Sequence, residues 1–167
     1  MDPQIIAAWQ AFFGMAAGSA AGLTGLLFVA LSLHLREINA DPFHHHRARA
    51  SLAGLVLVLA LSGLVLLPHQ TGTALGIEQL VALAAYIGLY SASLAQIRAV
   101  APKTGIPADF LLRNGAAVLL LVSAIIGSVL LLAGREIGLD VLAFFCLCAV
   151  ALIVFNSWGM LVGIASE

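Results

Sequence analysis

Five stretches of this chain are each long and apolar enough to cross a lipid bilayer, and nearly all the charges fall in the short gaps between them. A helix needs about 20 apolar residues to cross ~30 Å of hydrocarbon. The stretches run over about residues 9–35, 50–67, 75–98, 114–133 and 139–163. Charged residues make up 9% of the chain and hydrophobic ones 62%, with a mean hydropathy of +1.11. A soluble domain carries roughly 25% charged residues, so this chain has too few to coat a water-facing surface. The expected fold is all-α: a polytopic bundle of five transmembrane helices forming a single domain over residues 1–167, with the lipid bilayer as its solvent.

The breaks between stretches have chemical causes. Arg36, Glu37, Asp41 and Pro42 end the first, and the run from Pro68 to Gly72 ends the second. Arg98, Pro102, Lys103 and Pro107 separate the third from the fourth, and Gly134, Arg135 and Glu136 separate the fourth from the fifth. Six of the seven basic residues (Arg36, Arg47, Arg49, Arg98, Lys103 and Arg113) lie on one side and only Arg135 on the other. The positive-inside rule places the six in the cytoplasm, with the N-terminus out and the C-terminus in. Met1, Asp2 and Pro3 lack the positive n-region of a cleavable signal peptide, and the apolar run that follows is too long for one.

Several function classes are disfavoured. There is no room for a nucleotide-binding module, and no Gly-rich phosphate loop is present. A net charge of −1 argues against a nucleic-acid partner, which asks for a basic face. Cys146 and Cys148 stand two apart in an apolar run, so on a helix they point to nearly opposite faces and make no disulfide framework. No acidic or basic residue sits in the middle of a span, as proton relays and ion-coupled transporters usually require. No HExxH motif and no convergent base, nucleophile and oxyanion donors are present, so no enzyme and no resident cofactor is expected.

Three groups of residues remain as candidates for function. In the first span Gly14, Gly18 and Gly22 recur every four residues, with Gly25 close behind. Gly159 and Gly163 repeat the spacing late in the fifth. Such ladders clear a helix face for close backbone approach, either within the chain or between subunits. In the third span Gln79, Tyr86, Tyr90 and Ser93 fall within an arc of about 60°. That stripe either bonds to neighbouring helices or lines a solute path. Glu78 sits at its outer mouth, off the stripe, where it attracts cations or rests among the headgroups.

The histidines form the third group. His44, His45 and His46 follow Asp41 and Pro42, and three consecutive side chains do not easily converge on one metal ion, so a solvated basic loop is the first expectation. His34 and His46 lie at similar depth on adjacent helices, an arrangement that also suits haem ligation. His69 is on the opposite side and does not join them. Asn156 and Ser157 interrupt the last span beside Trp158, an expected interfacial anchor, and Asn156 reads as an interhelical hydrogen-bonding group.

The run from Ala20 to Leu33, AAGLTGLLFVALSL, resembles the first helix of a group of small bacterial multi-pass membrane proteins. In those chains a similar segment leads to a basic gap, and the second helix ends in a leucine-rich turn with Pro-Gly-Gln. Here the turn reads Leu66, Leu67, Pro68, His69 and Gln70, so His69 departs from the pattern. The resemblance covers roughly the first 80 residues, the rest agreeing only in span pattern. It implies the bacterial inner membrane, and some such chains carry the label of modulators of a membrane-bound AAA protease. The function expected first is a homo-oligomeric membrane channel or pore for ions or small solutes. The alternatives are an accessory subunit of a larger membrane complex and, third, a haem- or quinone-associated anchor.

Overall fold

A computed structural model describes residues 3–34, 42–68, 70–100 and 108–165, with side-chain surroundings for a somewhat narrower set. They form five helices: α1 (Pro3–Leu33), α2 (Pro42–Val65), α3 (Gly72–Val100), α4 (Ala108–Leu132) and α5 (Ile137–Ala165). Each contains a segment long and apolar enough to cross a membrane, from 18 residues in α2 to 30 in α1. The described residues contain no strand. The protein is thus the all-α, five-span membrane bundle that hydropathy predicts.

Apolar residues cover the outside as well as the inside. Leu26, Leu33, Leu112 and Phe155 are all more than 70% exposed, whereas Gln79, Ser62 and Ser128 are fully buried. Exposed side chains of this kind would each cost about 1.5–3 kcal/mol in water relative to burial. Facing lipid removes that cost, and it sends the polar side chains inward to find partners.

α2 is the central helix, packed against α1, α3 and α5, while α4 closes the bundle against α3 and α5. Antiparallel registers follow from specific contacts. A Cβ at Gly54 on α2 would lie 2.8 Å from the Ile153 side chain on α5 and 3.8 Å from the Tyr86 hydroxyl on α3. Seven residues further along α2, Leu61 meets Gln79, and Ser62 meets Cys146. One apolar cluster runs through Phe13, Val58, Leu61, Leu83, Leu131 and Leu142. A second, formed by Leu27, Leu31, Ala48 and Leu55, seals α1 to α2 near the His46 end of the bundle.

All five helices start earlier than hydropathy predicts, α2 by the most. α1 begins at Pro3, and its 31 residues reach about 46 Å. α2 begins at Pro42, eight residues ahead of the expected boundary. Proline at the first helical position has its φ already set and lacks an N–H that would go unpaired there. Helical structure therefore extends back through His45 and His46, polar residues that hydropathy leaves outside the span. The solvated histidine loop is corrected accordingly: both residues are helical and His46 is buried.

The turns are locally specified. Gly134, at φ 72°, ends α4 in a conformation that favours glycine. The Arg135 N–H donates to Leu130 O at 2.8 Å and the Gly134 N–H to Leu131 O at 2.9 Å, the paired bonds of a Schellman stop. Thr71 caps α3, its hydroxyl accepting the Ala74 N–H at 3.2 Å. Gln70 ties this end together, its side-chain amide donating to Leu64 O at 3.3 Å and to the Glu78 carboxylate at 2.7 Å.

Candidate functional site

The polar side chains inside the bundle collect at two levels. The first lies about one turn in from the ends of α2 and α4, where Gln79 on α3 is fully buried. Its side-chain amide donates to Leu61 O on α2 at 3.5 Å, and its Oε1 accepts from the Ser128 hydroxyl on α4 at 3.3 Å. Ser128 also donates to Ala124 O at 2.8 Å. A hydroxyl carries one proton, so the two acceptors share it and Gln79 holds only a fraction of that bond. At the same level Ser62 on α2 faces the Cys146 thiol on α5 at 3.6 Å. Four helices are thus joined at this level by neutral groups.

The second level lies towards the other end. Tyr86 and Tyr90, one turn apart on α3, stack with centroids 5.9 Å apart and planes 14° from parallel. The Tyr90 hydroxyl donates to Asn114 Oδ1 at the head of α4. The His46 ring lies 6.2 Å from that of Tyr90. Ser51 on α2 and Ser157 on α5 are buried at this end, at 7% and 8% exposure.

The chain matches no family model, no curated protein and no solved structure. Its functional reading therefore rests on these geometries.

Gln79, Tyr86 and Tyr90 of the α3 stripe are turned towards neighbouring helices. Gln79 is fully buried, and Tyr86 and Tyr90 are half-buried against α2 and α4. Glu78, half-buried, accepts the Gln70 hydrogen bond at the opposite end of the bundle. The small-residue ladder of α1 behaves differently: Gly18, Gly22 and Gly25 are exposed, and a Cβ at any of them would meet nothing within 4 Å. Only Gly14 faces a neighbour, with Leu66 Cδ2 4.0 Å from its Cβ position. Gly159 is exposed. The side-chain surroundings of Ser93, His44 and Gly163 lie outside the described residues, as does the structure of His69.

His34, half-buried, donates its Nδ1–H to Ala30 O of its own helix at 3.1 Å. Among the described residues no three His, Cys, Asp or Glu side chains converge on a metal position. Sequence reasoning missed Asn114 as Tyr90's partner, although an amide at the start of an apolar run is itself a signal. It also missed the tight helix crossings. A Cβ at Gly76 would lie 2.7 Å from Leu132 N, and one at Gly138 2.6 Å from Gly127 O.

His46 carries a pH prediction. Burial, with smaller contributions from Arg49 and His45, holds its pKa below the ordinary 6.5. Between the lowered value and 6.5 the unfolded chain binds a proton that the folded chain does not. Its contribution to stability is therefore complete above pH 6.5 and is lost as the pH falls below it. The melting temperature in detergent is expected to drop on acidification from pH 7.5 to 5.5, with a shallower slope in His46→Phe. Equal slopes would show that His46 contributes nothing to it.

Proposed function

We propose that this protein is a homo-oligomeric membrane channel for small solutes, its protomers joined along α1. The observation that carries the assembly is the outward Gly18, Gly22 and Gly25 face, which no other described helix occupies. Helices in a bilayer associate through close van der Waals packing rather than a hydrophobic drive, and small residues permit the approach. A second copy is the best-fitting occupant. It offers the same four-residue spacing, and a two-fold axis brings like face to like face.

The passage, in this reading, runs through each protomer along the polar side of α3. Between the Tyr86 and Gln79 levels it is closed by Leu83, 1% exposed, and by Val58 at the corresponding height of α2, fully buried. Apolar constrictions of this kind gate by dewetting. The basic gaps face the cytoplasm, and the host membrane is the bacterial inner membrane.

A second reading, an accessory subunit or modulator of a larger membrane complex, draws on the same α1 face packed against a foreign helix. Native mass measurement after gentle extraction from the host membrane separates the two. The channel reading expects a symmetric homo-oligomer, and Gly22→Ile should lower its association constant at least 10-fold, about 1.4 kcal/mol. A mixed complex would favour the accessory reading. Wild-type monomers alone would overturn both.

A further inference from the structure

We infer that the layer formed by Ser51, Tyr90, Asn114 and Ser157 binds a small uncharged hydrogen-bonding solute of the urea or glycerol class and selects what the channel passes. This inference rests on the conduction reading above.

Ser157 is the starting observation. Its hydroxyl is buried and has no hydrogen-bond partner among the described residues. Hydroxyls on membrane helices ordinarily donate to a carbonyl one turn back. Thr24, Ser32, Ser91, Ser123 and Ser128 all do so in this chain, at 2.7–2.9 Å. Ser157 does not, although residues 153–157 are helical. A buried orphan of this kind costs about 1–3 kcal/mol, and an absent small partner is among its ordinary explanations.

The helix registers place the orphan. Gly54 meets Ile153 on α5 and Tyr86 on α3. Ser157 and Tyr90 each follow four residues later on the same faces of their helices, and Ser51 precedes Gly54 by three on the antiparallel α2. The three therefore share one level, and Tyr90's bond adds Asn114 from α4. One turn deeper, the close contact of Gly54 with Ile153 and Tyr86 makes a floor.

The chemistry of the layer sets the solute class. Its members are three hydroxyls and one carboxamide, each both donor and acceptor. None of them is charged. An ion brought here would exchange its hydration for neutral dipoles, at a cost far above that of desolvating an amide or alcohol. A neutral molecule bearing donors and acceptors replaces its few water bonds one for one.

The test uses the intact protein in phospholipid vesicles, with stopped-flow light scattering and urea, glycerol and potassium chloride as separate probes. Wild-type protein should speed entry of urea or glycerol over empty vesicles and leave potassium chloride entry unchanged. Ser157→Ala should slow the neutral solute about 3- to 10-fold, the loss of one hydrogen bond, while keeping the oligomer mass and without lowering the melting temperature. Tyr90→Phe removes a hydroxyl of the same layer from α3 and should slow it too. An unchanged rate in either variant overturns the site and leaves the channel standing. Passage of potassium chloride without urea or glycerol overturns the solute class alone. Failure of all three probes to enter overturns conduction, and this inference with it.

Discussion

Gly138→Val should be among the most damaging single substitutions at the described residues, costing about 3 kcal/mol or more and leaving α4 and α5 unable to pair. A Cβ at this position would lie 2.6 Å from Gly127 O and 2.9 Å from Leu131 N, both backbone atoms. Overpacking against flexible side chains typically costs 1–3 kcal/mol because rotamers shift. Here nothing can rotate away, so the helices themselves must separate. The Leu139 and Leu142 side chains, fully buried at the same crossing, would lose their contacts as well. Thermal or denaturant unfolding in detergent measures the effect. As a control, Gly63→Val should change stability by less than about 0.5 kcal/mol, since a Cβ at Gly63 meets nothing within 4 Å. Equal behaviour of the two variants would refute the close crossing.

The second large effect is expected at Gln79, and it depends on what replaces the amide. Gln79→Arg places a cation that does not deprotonate at a fully buried position whose described partners, Leu61 O and Ser128, are neutral. An uncompensated buried charge costs about 3–5 kcal/mol, enough to prevent assembly of a marginal bundle. Gln79→Met, apolar and of similar shape, should cost less than about 1.5 kcal/mol. Ser128 then keeps its Ala124 bond, and Leu61 O remains within its helix. A severe Gln79→Met phenotype would mean that the shared Ser128 proton holds the bundle more firmly than its 3.3 Å contact to Gln79 suggests.

The architecture was legible because bilayer physics leaves few options. Long apolar runs must be helices, and Arg135 with Gly134 marks the last turn as plainly in sequence as in structure. The helical phase of Gln79, Tyr86 and Tyr90 was legible too, since 100° per residue holds whatever surrounds the helix. What the stripe faces was not, because phase within one helix carries no information about which neighbour fills the space beside it. The glycines illustrate the same limit. Gly18 and Gly22 advertise close packing by their spacing, yet the close approaches to another helix's backbone fall at Gly76, Gly127 and Gly138. These lie on three other helices, and their importance appears only when those helices are brought together. The start of α2 was misjudged because hydropathy reports where a segment becomes oily, while helical structure begins where the backbone can be capped, here at Pro42.

The central position of α2 also bears on how the protein is made. Synthesis delivers α2 before the groups that meet it: Gln79 on α3, and Cys146 and Ile153 on α5. The α1–α2 pair therefore enters the membrane with Ser62 still waiting for its partner. The α5 helix, made three helices after α2, completes its surroundings. Quality control that samples half-inserted chains would meet that exposed polar face first, and variants that slow the α4–α5 hairpin would prolong its exposure.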